Sequence, residues 1–98
     1  MDNFYVYIMA SQRNGTLYIG LTNELERRVS EHKDKILDGF TARYNVDQLV
    51  YYETFETYSE AFERERRLKK WKRDWILKLI ESENPEWKDL VAGWESSS

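Results

Sequence analysis

Apolar and polar residues change period several times along this chain, and each change marks an element. Phe4-Tyr5-Val6-Tyr7-Ile8-Met9 and Thr16-Leu17-Tyr18-Ile19-Gly20-Leu21 are rich in β-branched and aromatic side chains, which suit the pleated, half-buried surface of a strand. Between them, Ala10-Ser11-Gln12-Arg13-Asn14-Gly15 ends in an Asn-Gly pair able to take the positive φ that a hairpin loop needs, so the strands are expected to pair antiparallel. Folding the loop symmetrically sets Tyr7 opposite Tyr18 on one face. A slip of one residue would send the two rings to opposite faces.

After Gly20 the period lengthens. Asn23 is placed to cap a helix, Glu26 three residues later completes a capping box, and Asp38-Gly39 marks the stop. Leu25, Val29 and Ile36 make one apolar stripe, His32 falls on it between Val29 and Ile36, and Arg28 borders it. Residues Gly39 to Asn45 lack a period and read as a loop, whose polar and basic groups, Arg43 among them, are available to a substrate. Gln48 to Glu53 is a third strand that can join the hairpin. The expected fold is therefore α+β, a small three-stranded antiparallel β-sheet flanked by helices.

Thr57 and Glu60 form a second capping box, which starts a helix at Tyr58 with a buried stripe of Tyr58, Ala61, Phe62 and Leu68. Trp71, Trp75, Ile76, Leu79 and Ile80 carry the period on beyond a bend after Lys70, and their bulk reads as core. Asn84-Pro85 ends that helix and starts a short one, with Asn84 as cap and proline in its favoured first position. Residues 1–92 are expected to form one domain and 93–98 a frayed polar tail.

Composition narrows the picture. A chain of 98 residues supports one core, and its four Trp and seven Tyr supply the large buried areas that so small a core needs. With no cysteine, a disulfide framework and a thiolate metal site are excluded. No apolar run approaches the ~20 residues of a membrane span, and the first residues resemble a strand rather than a signal peptide, so a cytoplasmic protein without membrane partners is expected.

A net charge of −3 and a pI near 5.2 argue against nucleic-acid binding by bulk electrostatics, but the distribution differs from the sum. Arg64, Arg66, Arg67, Lys69, Lys70, Lys72 and Arg73 share a ten-residue stretch with one acid, Glu65. Such a run is either a solvated helix face or a phosphate-binding patch, for which Arg66, Arg67, Lys69 and Lys70 are the candidates. Glu65 lies on the apolar stripe between Tyr58 and Leu68, and an ionised carboxylate there costs several kcal/mol unless it is paired. A cation is therefore expected beside it, an arginine or a metal, unless the face is shallower than drawn. Tyr7, Tyr18, Arg28 and His32 admit two readings, packing or chemistry.

These residues resemble the GIY-YIG nuclease family. Tyr5-Val6-Tyr7 stands where the first tripeptide of that family would be, with Tyr5 in place of its glycine, and Tyr18-Ile19-Gly20 matches the second. Arg28 follows Gly20 by eight positions and His32 by twelve, as in phage homing endonucleases of this type. Leu17 to Gly20, Leu25 to Arg28, Gly39 to Thr41, Leu49 to Glu53, Leu68 to Trp71 and Asn84 to Leu90 are similar to motifs of the small single-domain bacterial members. The resemblance implies a divalent-metal-dependent endonuclease that hydrolyses phosphodiester bonds in nucleic acid, DNA rather than RNA, with Mg²⁺ or Mn²⁺ as cofactor and no obligatory protein partner. By the same resemblance Glu65, four residues after Ala61, is the metal ligand, and Asn84 supports the site. Arg28 would then bridge phosphoryl oxygens, Tyr18 helped by Tyr7 would position or deprotonate water, and His32 would accept a proton from tyrosine. Two alternatives stay open: a non-catalytic nucleic-acid-binding module of the same fold, and a protein-interaction domain.

Overall fold

A computed structural model describes residues 3–35 and 39–94. Strands β1 (Phe4–Ala10) and β2 (Leu17–Thr22) form the hairpin, and β3 (Gln48–Phe55) pairs with the other side of β1, so the antiparallel order is β2-β1-β3. Helices cover both faces of the sheet, which is why the central strand reads as a nearly continuous apolar run. On one face Val6, Ile8 and Tyr51 pack against Ala61, Leu68, Ile76 and Ile80. On the other, Tyr7, Met9 and Leu49 pack against Leu25, Val29 and Val91. Among the described residues no helix is long and apolar enough to cross a membrane.

The hairpin register is shifted by two residues from the symmetric expectation: Tyr7 pairs with Gly20 and Met9 with Tyr18. The cause is the loop, which closes at Ser11 and Thr16, with the Ser11 N–H donating to the Thr16 carbonyl at 3.0 Å and Asn14 alone taking a left-handed φ of 59°. Arg73 secures it from outside by donating to the carbonyls of Asn14 and Gly15, each at 2.7 Å. Because a shift of two preserves side-chain parity, the two tyrosines still share a face.

Helix α1 (Leu25–Lys33) is entered differently from expectation. Asn23 does not cap it; the Glu24 N–H donates to Thr22 Oγ1 at 3.0 Å, and Glu24, whose side chain makes no cap, takes the capping position. The helix ends at Lys33, with Lys35 left-handed at φ 60°, while Ile36 and Asp38, on which the longer helix was drawn, lie outside the described residues. Residues expected to be a loop contain a one-turn helix, α2 (Gly39–Arg43), too short for a period to register.

Helix α3 (Tyr58–Lys70) begins as its cap predicts, with Thr57 Oγ1 accepting from the Glu60 N–H at 3.2 Å. A break at Trp71 separates it from α4 (Arg73–Glu83). The buried stripe is narrower than expected. Ala61 and Leu68 are buried, whereas Tyr58, Phe62 and, on α4, Trp75 are exposed. The α3 stripe runs through Ala61, Arg64 and Leu68, roughly a third of a turn round from Phe62, because Arg64 has a partner in the sheet and so takes a place that periodicity assigned to the aromatics.

That partner is Glu53. Arg64 Nε and Nη2 donate to its two carboxylate oxygens at 2.9 Å each, Tyr51 donates to the same carboxylate, and the guanidinium lies 5.1 Å from the Trp71 ring centre. Burial pushes the Glu53 carboxyl up, but hydrogen bonds from Arg64 and Tyr51 and the Arg64 charge outweigh it, leaving the pKa below the ordinary carboxylate value. Burial, then the hydrogen bond to Glu53 and its charge, push the Tyr51 hydroxyl well above 10.0.

Asn84 caps no following helix. Its Nδ2 donates to the carbonyls of Val50 and Lys88 at 3.1 and 2.8 Å, and its Oδ1 accepts from the Lys88 N–H at 3.0 Å, fastening a turn to β3 before a 3₁₀ turn (Leu90–Gly93). Of the tail expected from Gly93 onward, Gly93 closes that turn and Trp94 packs on the core; 95–98 lie outside the described residues.

Two pH limbs follow from the Glu53 cluster. The lowered Glu53 pKa contributes stability that is full above the ordinary 4.5 and is lost as pH falls through the folded value; the raised Tyr51 pKa contributes stability that is full below 10.0 and is lost as pH rises beyond it. Glu53→Gln should cost about 1–3 kcal/mol at neutral pH, since it strips a charge-assisted pair, and should flatten the acid limb in urea unfolding measured from neutral to acid pH.

Candidate active site

The site begins with a contact between a ring and a backbone. Tyr7, only 2% exposed on the central strand, lies across Gly20 of β2, where an added Cβ would stand 2.5 Å from the Tyr7 hydroxyl oxygen and 2.6 Å from Cζ. Only glycine leaves room for that ring. Its hydroxyl reaches His32 Nε2 at 3.1 Å. Leu25 and Val29, buried on the same face of α1, set the helix so that His32 is 1% exposed and sits over the sheet.

The other imidazole nitrogen is engaged as well. His32 Nδ1 and Thr41 Oγ1 are 3.2 Å apart, and Thr41, from α2, is 1% exposed. In the neutral ring one nitrogen donates and the other accepts, and hydroxyls on both sides can serve either tautomer. Tyr18 completes the group: its ring centre lies 5.2 Å from that of His32 and 6.3 Å from that of Tyr7, all three planes mutually tilted.

Arg28 stands one turn before His32. Its Nε is buried and makes no hydrogen bond among the described residues, and Glu31 approaches it only to 3.7 Å. A guanidinium donor withdrawn from water with no hydrogen bond among the described residues, and only a long ion pair to Glu31, fits a site that receives an anion.

The remaining sequence candidates lie elsewhere. Glu65 is on α3, the helix whose Ala61 and Leu68 pack on the other face of the sheet from α1; its side chain is 16% exposed and pairs with Lys69 at 3.0 Å, so the cation that the stripe demanded is a lysine rather than an arginine, on a shallower face than expected. Asn84 is buried on the β3 side, with both polar atoms of its amide spent on the turn described above. Arg43 is exposed on α2 with its guanidinium 5.8 Å from the Tyr44 ring. Arg66, Arg67, Lys69 and Lys70 are exposed on α3.

The GIY-YIG catalytic domain family model matches residues 3–79. The chain belongs to the GIY-YIG family. A UPF0213 protein of Staphylococcus saprophyticus is 39% identical over 80 residues, covering 82% of this chain and 96% of the relative. One from Clostridium perfringens is 39% identical over 80 residues, covering 82% and 85%. The solution NMR structure of a UPF0213 protein from Bacillus halodurans is similar with a TM-score of 0.56 and 25% identity, over 91% of this chain and 94% of that one.

Family membership explains the pairing of the two motifs. The tyrosine of the first lies over the glycine of the second, so neither is placed without the other. Tyr5, where the family name has glycine, sits in regular register between Thr22 and Thr54, and positive φ is confined to other residues, so β1 does not need glycine there. Sequence reasoning gave Thr41 no functional contact; it is the last residue of the Gly39 to Thr41 motif, but a single helical turn leaves no periodicity to say which side faces inward.

Among the described residues no group of three or more His, Cys, Asp and Glu side chains is placed to hold a metal. A metal here would therefore rest on one protein carboxylate. Glu65, largely withdrawn from water and paired with a lysine that is itself 54% exposed, suits an ion such as Mg²⁺, which takes one or two carboxylates and keeps its waters.

Two substitutions test the geometry. Gly20→Ala should displace the Tyr7 ring from His32 and cost about 1–3 kcal/mol by overpacking. Thr41→Val should remove the hydroxyl partner of His32 Nδ1 at a cost of about 1–3 kcal/mol. Since His32 is the single histidine, NMR of its ring should report the loss of each partner directly, and an unchanged ring spectrum would contradict the arrangement.

Proposed function

We propose that this protein is a divalent-metal-dependent endonuclease that hydrolyses phosphodiester bonds in nucleic acid, DNA rather than RNA. The observation that carries the reading is the engagement of Tyr7, Tyr18 and His32 with one another beside the unsatisfied Nε of Arg28. Packing alone calls for no hydroxyl at the imidazole and no buried guanidinium donor without an acceptor.

Hydrolysis needs a water positioned in line with the leaving oxygen, a group to take its proton, and charge stabilisation at phosphorus. Arg28 supplies the last, with its planar fork meeting two phosphoryl oxygens. Tyr18 orients the water through its hydroxyl. The proton moves toward the imidazole, whose ring is held in place by Tyr7 and Thr41, hydroxyls able to serve either tautomer. Mg²⁺ or Mn²⁺ held by Glu65 would supply Lewis-acid polarisation of the phosphate and of the leaving oxygen. β2 is an edge strand on which α3 also packs, so a nucleic-acid strand lying along that edge has access to both Tyr18 and the Glu65 side of the sheet.

The test is cleavage of plasmid, single-stranded and branched DNA with Mg²⁺, Mn²⁺ or chelator. Tyr18→Phe should keep the thermal midpoint and lose about 10²-fold or more in cleavage rate. Glu65→Gln should reduce metal-dependent cleavage by orders of magnitude while stability without metal holds, because the pair it breaks has its lysine in solvent and is worth about 1 kcal/mol or less. Normal cleavage by either folded variant defeats the role assigned to that residue. Binding by the wild-type protein with no cut under any metal would leave the non-catalytic module as the reading.

A further inference from the structure

The residues that sequence periodicity placed in the core of α3 form an exposed ladder instead. Tyr58 and Phe62, four residues apart, are 53% and 40% exposed, and their rings stack with centres 5.8 Å apart and planes 19° from parallel. Phe4 from β1 supports Tyr58 edge-on at 5.9 Å. The guanidinium of Arg66 continues the row, 5.9 Å from the Phe62 ring centre.

Beyond the ladder the helix turns basic, with Arg66, Arg67, Lys69 and Lys70 all exposed. The acids interspersed with them are occupied: Glu63 pairs with Arg66 at 3.8 Å and Glu65 with Lys69 at 3.0 Å. Arg67 and Lys70 make no ion pair among the described residues. An aromatic row that runs into surplus positive charge, on a protein of net charge −3, concentrates attraction for a polyanion at one end of one helix.

We propose that Tyr58, Phe62 and Arg66 are a stacking platform for the unpaired bases of a single-stranded nucleic-acid segment, whose phosphates meet Arg67 and Lys70. Bases paired within a duplex keep their faces stacked on one another, so a ring platform on a helix surface selects bases that are free. α3 packs over β2, the strand that carries Tyr18, so a strand held on the ladder continues toward the edge where cleavage is assigned. The proposal deepens the nuclease reading by giving its substrate an unpaired segment, and rests on that reading only for the direction of the strand.

The test is fluorescence anisotropy of a labelled oligothymidylate in chelator at low salt, with a blunt duplex as control. It compares the wild type, a Tyr58→Ser/Phe62→Ser variant and an Arg67→Glu/Lys70→Glu variant, each checked for fold by circular dichroism. The aromatic variant should lose about 5- to 100-fold in affinity for the single strand while its salt slope stays the same. The charge variant should flatten the log-log salt slope by about 0.7 per phosphate contact removed. Single-strand affinity equal to wild type in the aromatic variant overturns the platform. So does sedimentation showing that the ladder closes a dimer of this chain that the aromatic variant breaks. Because no metal is present, the two readings separate. A wild type that cleaves while the aromatic variant binds normally loses only the ladder; one that binds through the ladder and cuts nothing keeps the ladder and loses the nuclease assignment.

Discussion

The contact between the Tyr7 ring and the backbone of Gly20 is the constraint on which the rest of the site depends. A ring laid across a neighbouring strand requires that strand to lack a side chain at one position, which ties the pairing of β1 and β2 to the identity of a single residue. The same placement aims the hydroxyl at α1, so the strand pair, the helix and the imidazole are set by one close approach. α2 then joins through Thr41 and the far nitrogen of His32. Polar groups buried this deeply stabilise only when fully partnered, so the chain Tyr7, His32, Thr41 specifies one arrangement rather than several.

The two faces of the sheet divide the electrostatics. On the α1 face the buried polar groups are hydroxyls and one imidazole, which carry no obligatory charge, together with an arginine whose buried Nε makes no hydrogen bond among the described residues. On the α3 face Glu53 and Arg64 meet with bidentate geometry and neutralise each other beneath Trp71. The second pair belongs to the stability of the fold, since both ions are satisfied within the protein.

α3 serves three roles because its sides face different surroundings. Its inner line of Ala61 and Leu68 packs on the sheet, Arg64 locks it to β3, and the outward side presents Tyr58, Phe62 and the cations. Glu65 lies near the boundary between the inner and the exposed sides, partly withdrawn from water yet paired with a lysine that reaches into solvent. An acidic protein can thus carry a local cationic surface, because Glu63 and Glu65 are paired with Arg66 and Lys69 while Glu60 sits at the other end of α3 against Thr57.

Local sequence by itself determined the strands, the cap that starts α3, the break after Lys70 and the shared face of Tyr7 and Tyr18, because each follows from a side-chain period or from a turn residue acting over a few positions. The family motifs likewise named Tyr7, Tyr18, Arg28 and His32 as a group before any distance was known. Only the tertiary structure decided the two-residue shift of the hairpin, since the loop closes on Ser11 and Thr16 and Arg73 holds it from a distant helix. It alone decided that Thr41 meets His32, because a five-residue helix has no period to read. It also turned Tyr58 and Phe62 outward. Periodicity ranks residues by hydrophobicity and so puts aromatics inside; here a glutamate on β3 gave Arg64 a reason to be buried, and that partnership, invisible along the chain, rotated the helix.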